Sequence, residues 1–103
     1  MTRIDFTSAI IYLLNEMAAE GEQPIIDYVK RSANEQKRLF KEGKSKCDGK
    51  TKISAHQRGK AMDIYFIVNG KLDMGLERYE RWHSIWETIG GKPMIKWDLP
   101  HFE

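Results

Sequence analysis

The segment Ser54-Ala55-His56-Gln57-Arg58-Gly59-Lys60-Ala61-Met62-Asp63 constrains this chain more than any other, because it sets an imidazole and a carboxylate seven residues apart around a glycine. Seven residues cover about 10 Å along a helix and more than about 20 Å along a strand, so neither regular element brings His56 and Asp63 together. Donors to a tetrahedral metal ion lie only about 3 to 3.5 Å apart, given bonds near 2 Å. For the two side chains to share an ion, the chain must double back between them. Gly59 stands where that reversal falls, and with no Cβ it takes positive φ without penalty. The apolar run Ala61 to Val68 then predicts the strand that carries Asp63, with His56 on the loop before it.

The closing segment Asp98-Leu99-Pro100-His101 adds a second imidazole and a second carboxylate. Neutral histidine is a common metal donor, its other ring nitrogen oriented by a nearby acceptor. A catalytic zinc keeps one position open for water, and a carboxylate beside that water takes its proton and later delivers it to a leaving amine. On this reading His56, Asp63 and His101 are the metal ligands and Asp98 is the base. Pro100 blocks regular helix and strand pairing, and the turn it implies aims Asp98 and His101 at one centre. Asp73 or Glu103 is a further carboxylate expected near such a centre. His83 sits inside an aromatic helical stripe with no carboxylate at ligand spacing, so it reads as a packed helix histidine.

The pattern S-x-H-x-x-G-x-A-x-D, followed downstream by an acidic residue three places before a histidine, resembles the zinc D-Ala-D-Ala carboxypeptidases and L-alanoyl-D-glutamate endopeptidases of bacteria and phages. Their fold is shared with the hedgehog signalling domain. The fixed positions here are Ser54, His56, Gly59, Ala61 and Asp63, and the ending Asp98-Leu99-Pro100-His101-Phe102-Glu103 looks like the endopeptidase and endolysin branch. Dipeptidases of the family more often carry glutamate at the position of Asp98. The stretch Tyr28 to Gln36, followed by Leu39-Phe40 and Gly43, is similar to the family's arginine-led segment, so the resemblance covers about Pro24 to Glu103.

That resemblance implies a small hedgehog/DD-peptidase-like domain over residues 1–103 that holds Zn2+ and hydrolyses an amide bond of the peptidoglycan stem peptide, the L-Ala-D-Glu bond in the endolysin branch. It implies that Arg31 polarises the scissile carbonyl and stabilises the oxyanion, where electrostatic catalysis has most effect, and that Ser54 hydrogen-bonds substrate. A D-Ala-D-Ala carboxypeptidase is the nearest alternative, and a non-catalytic hedgehog-like binding module that keeps zinc for structure is another. At 103 residues the chain is near the short end for the family and carries no extra wall-binding module, so substrate affinity has to come from the catalytic cleft.

With 41% hydrophobic and 31% charged residues, the composition is that of a small globular domain. A net charge of +2 is too weak to argue for nucleic acid, and the Lys41-Glu42-Gly43-Lys44-Ser45-Lys46 and Lys50-Thr51-Lys52 run reads as a solvated basic loop. The single cysteine, Cys47, excludes an intramolecular disulfide and a thiolate metal site. No signal-peptide pattern opens the chain and no apolar stretch is long enough to span a membrane. The expectation is a monomer made in the cytoplasm without stable membrane association, reaching the wall by a holin or on a particle.

Apolar spacing predicts a helix from about Asp5 to Glu20 ended by Gly21, then an extended run over Ile25 to Lys30. Ser32 and Glu35, spaced as a capping box, open a second helix to about Glu42, which leaves Arg31 at a strand-to-helix junction. Asn69-Gly70 predicts a tight hairpin with Lys71 to Asp73 as the return strand. Leu76 to Ile89 is a further helix, and Met94 to Trp97 is expected as a strand leading into His101. The fold class is α+β, with helices against a mostly antiparallel sheet.

Overall fold

A computed structural model of the chain describes residues 1–27, 41 and 58–103. Arg31, Ser54 and His56, the helix expected over 32–42 apart from Lys41, and the lysine-rich stretch around Cys47 lie outside the described residues. The described residues form a small α+β fold: α1 (Arg3–Ala19), β1 (Pro24–Asp27), β2 (Met62–Val68), β3 (Lys71–Asp73), α2 (Leu76–Thr88) and β4 (His101–Phe102). The four strands make one sheet in which every pairing is antiparallel.

Helix α1 starts at Arg3, two residues before the expected Asp5, because Thr2 caps it. The Asp5 amide donates to Thr2 Oγ1 at 3.0 Å and the Thr2 amide donates to Asp5 Oδ2 at 3.2 Å, a reciprocal box that satisfies two otherwise orphaned donors. Phe6, Ile10, Leu13 and Met17 form its buried stripe. Burying such side chains contributes about 1.5 to 3 kcal/mol each in transfer free energy. Tyr79, Trp82, His83 and Trp86 form the matching stripe of α2, and Phe6 meets Trp86 edge-on at 5.8 Å where the helices touch.

Strand β2 is the centre of the sheet. Strand β1 runs along one edge, from Pro24 opposite Phe66 to Asp27 opposite Asp63. The other edge is shared: β3 pairs with residues 66–68, and β4 pairs with Met62 and Asp63. Asn69 and Gly70 both take positive φ (53° and 77°), the conformation that lets a two-residue turn follow the twist of the flanking strands. Side chains alternate along β2, so Met62, Ile64 and Phe66 join the core while Asp63, Tyr65 and Ile67 point to the opposite face.

The strand expected over Met94 to Trp97 does not form. The Asp98 amide donates to the Ile95 carbonyl at 3.0 Å, closing a tight turn with Lys96 and Trp97 at its corner. The physical reason lies in the sheet: β3 already occupies residues 66–68 on that edge of β2, so the returning chain pairs only with the part of β2 that precedes them. His101 and Phe102 pair there, opposite Asp63 and Met62.

Candidate metal centre

Gly59 has φ +69°, a left-handed conformation, and lies in a turn ahead of β2. A Cβ at Gly59 would stand 2.9 Å from Nε of the movable Arg3 side chain, so it is the backbone conformation that selects glycine. The chain then enters β2 and sets Asp63 on the face away from the core. Directly opposite side chains on paired strands share a face, so Asp27, Asp63 and His101 form a row across β1, β2 and β4. Although it points away from the core, Asp63 is only 7% exposed.

Two successive turns place Asp98 and His101. After the Ile95–Asp98 turn, the His101 amide donates to the Asp98 carbonyl at 3.1 Å. Pro100 lacks an amide hydrogen but its carbonyl accepts from the Ile64 amide at 2.9 Å, which ties this segment to β2. Helix α2 holds it from the other side. His83 Nε2 lies 2.7 Å from the Leu99 carbonyl, and since a carbonyl only accepts, Nε2 carries the proton. The His83 ring also stacks on Phe102 at 3.8 Å with 6° between the planes. The third histidine is therefore a packed helix residue that positions the segment bearing Asp98 and His101.

The three polar side chains converge. His101 Nδ1 lies 3.6 Å from Asp63 Oδ1 and 4.0 Å from Asp98 Oδ2, and one donor atom from each residue falls within 4.8 Å of the others. Its Nε2 lies 3.0 Å from Glu103 Oε1, and Glu103 Oε2 accepts from Lys92 Nζ at 2.8 Å. Glu103 thus orients the ring so that Nδ1 faces the two aspartates, the arrangement in which a carboxylate steers a metal-ligating histidine.

Burial works against a charged His101, yet the carboxylates of Asp63, Glu103 and Asp98 outweigh it and hold its pKa above the ordinary imidazole value. Glu103 is shifted the other way: burial raises its pKa, but hydrogen bonds from His101 and Lys92 bring it below the usual carboxylate range. Burial, aided by repulsion from His101, pushes His83 below the ordinary value despite its bond to Leu99. A cluster that favours a proton on His101 Nδ1 favours a divalent cation in the same position, with release of that proton.

Asp63, Asp98 and His101 are thus a candidate metal site. The mixed nitrogen and oxygen donor set suits zinc among other divalent ions. Asp63 Oδ1 lies 3.6 Å and Asp98 Oδ2 lies 4.0 Å from His101 Nδ1, and the Asp98 side chain is the more exposed of the two carboxylates. Of the residues expected from the sequence, Asp63, His101 and Asp98 are brought together, while His56, Ser54 and Arg31 lie outside the described residues.

Of the two further carboxylates expected near the centre, Asp73 instead lies opposite Phe66 and pairs with Arg78, while Glu103 was given no role, and Asp27 was not named. Glu103 was legible in principle, since residues i and i+2 of an extended segment share a side, which puts it beside His101. Asp27 had no local signal, because its place in the row depends on the β1–β2 register. Comparison of the chain with protein-family models, with curated proteins and with solved structures gave no match.

Proposed function

We propose that the chain is a zinc metallopeptidase that hydrolyses an amide bond in the stem peptide of bacterial peptidoglycan, the L-Ala-D-Glu bond by its resemblance to the endolysin branch. The observation that carries this reading is that Asp63 and His101, distant in sequence and each part of the motif, meet at 3.6 Å with Asp98 beside them. In this reading zinc is held by Asp63, His101 and His56. A bound zinc lowers the pKa of water and polarises a carbonyl as a Lewis acid.

The chain's own groups do the rest. Asp98, 40% exposed at its side chain, is open enough to meet a water and takes its proton as the water attacks the peptide carbonyl. The same carboxyl then passes that proton to the departing amine. Arg31 stabilises the oxyanion and Ser54 orients the peptide, the roles that the resemblance assigns to them. Glu103 keeps His101 Nδ1 turned toward Asp63 through the cycle. The protein works as a monomer and meets the wall after delivery by a holin or a particle.

Digestion of purified peptidoglycan by the zinc-loaded protein, with products read by mass spectrometry, tests the reading. Chelator-sensitive separation of the stem at L-Ala-D-Glu is the expected result. Release of terminal D-alanine moves the assignment to a carboxypeptidase, and no cleavage of several wall types by fully zinc-loaded protein overturns it in favour of a binding module.

A further inference from the structure

We infer that the outward face of the sheet carries an apolar subsite beside the metal centre, which holds the alkyl side chain of the second residue beyond the scissile bond, the substrate being taken from the peptidase reading above. Strand register defines it. Asp63 and His101 lie opposite one another on the face of the sheet away from the core. Two residues along β2, Tyr65 takes that same face with Ile25 of β1 opposite it, and two further along Ile67 takes it with Leu72 of β3 opposite. The metal centre and the two apolar rows therefore lie on one face of one strand.

This strip is open to an occupant. Ile25 is 48% exposed and Leu72 is 60% exposed, with Tyr65 and Ile67 half-buried between them. None of the four carries a charge, in a chain with 31% charged residues. Single exposed apolar side chains are ordinary, but neighbouring ones that lead out of a polar centre mark a binding surface.

Reach selects the part of the substrate. At a rise of about 3.4 Å per residue, the Tyr65 row stands about 7 Å from Asp63 along β2 and the Ile67 row about 14 Å. Two residues of extended peptide also cover about 7 Å, so a peptide with its scissile carbonyl at the metal centre and its chain along β2 sets its second residue over Tyr65 and Ile25. Chemistry selects the direction. One side of an L-Ala-D-Glu bond leads to the polar, sugar-linked lactyl group, and the other leads through D-glutamate to a diamino acid with a long alkyl chain. Only that chain matches an uncharged apolar strip, its methylenes lying over Tyr65, Ile25, Ile67 and Leu72 and its ammonium group staying in water. The substrate class is thus a stem peptide with a long-chain diamino acid in third place.

The test compares cleavage of N-acetyl-L-Ala-γ-D-Glu-L-Lys with cleavage of the same peptide ending in glycine. The zinc-loaded wild type is expected to favour the lysine peptide by about tenfold in kcat/KM, the size of about two buried methylene groups. Ile25→Thr with Leu72→Thr keeps β-branched or strand-compatible residues at two exposed positions and is expected to cut the preference to about twofold or less. Equal use of both peptides by the wild type, or an undiminished preference in the double variant, overturns the subsite.

Failure of the peptidase reading shows separately, as cleavage of neither peptide. The subsite then stands or falls on titration of the full chain with the same two peptides, read by backbone amide NMR. Saturable shifts at Tyr65 and Ile67 that are stronger with the lysine peptide and lost in the double variant uphold it, and no shifts there overturn it. A wild-type dimer in sedimentation that the double variant converts to a monomer would assign the strip to a second copy of the chain, and this too overturns the proposal.

Discussion

His83→Phe isolates what the buried histidine contributes to the segment that bears Asp98 and His101. Phenylalanine keeps a ring of similar size against Phe102, so the stacked pair at 3.8 Å survives in outline. What is lost is the Nε2 donor to the Leu99 carbonyl, a 2.7 Å bond. Leaving a buried acceptor without its donor costs about 1 to 3 kcal/mol. The substitution also removes His83 Nδ1, a buried nitrogen with no hydrogen-bond partner among the described residues, and this returns part of the loss. The expected net loss is about 1 to 2 kcal/mol at pH 7.5, a large fraction of the stability of a small domain.

The difference should shrink in acid, and the sign follows from the shift. The pKa of His83 is lowered in the folded state by burial and by His101, against the Leu99 bond and Glu87, so below the unfolded value of 6.5 the unfolded chain binds a proton that the native chain refuses. Stability from the neutral ring is fully present above pH 6.5 and is lost as pH falls from there toward the folded pKa. The slope approaches about 1.4 kcal/mol per pH unit for one proton. His101 is shifted upward, so its contribution is present below its unfolded pKa and lost as pH rises through its folded one; it is common to both proteins apart from its repulsion with a charged His83. Urea denaturation in chelator from pH 5 to 8 reads the effect. The wild-type and His83→Phe curves should converge below about pH 6.5. A constant gap across the range would refute the assignment of His83 as a buried neutral donor.

Other substitutions probe the site separately. Asp98→Asn should retain stoichiometric zinc but lose at least about a hundredfold in turnover, since a positioned general base contributes about 10² to 10⁴; wild-type turnover with full metal would remove Asp98 from the base role. Glu103→Gln should weaken zinc binding about 10- to 100-fold by loosening the His101 ring, measured by competition with a chelating dye; unchanged affinity would mean that the 3.0 Å contact does not orient His101. Gly59→Ala should lower the unfolding midpoint by an amount equivalent to about 1 to 2 kcal/mol, because φ +69° is strained for alanine and its Cβ would crowd Arg3; an unchanged midpoint would show that the reversal relaxes freely.

Helices α1 and α2 and the hairpin were legible because each rests on local physics. Tyr79, Trp82, His83 and Trp86 announce the buried face of α2 by spacing alone, and Asn69-Gly70 announces its turn by conformational preference. The start of α1 was misplaced because Thr2 and Asp5 form a box with aspartate in the usual glutamate position. Met94 to Trp97 misled because an apolar, β-prone run says nothing about whether a sheet edge is free, and the edge of β2 is divided between β3 and β4.

At the site, Asp63, Asp98 and His101 could be named from the spacing of their types and of Gly59 and Pro100. The contribution of α2 could not, because the bond from His83 to Leu99 joins residues sixteen apart through tertiary packing. Asp27 likewise gains its place only through register.

The most direct test of the proposed centre is to strip the protein of metal, add zinc in increments, and follow cleavage of the peptidoglycan stem by mass spectrometry at each step. Activity should be absent at the start, rise in proportion to zinc, and level off at one ion per chain. Cleavage that persists in excess chelator, or none at any zinc loading, would contradict a catalytic metal centre built on Asp63 and His101.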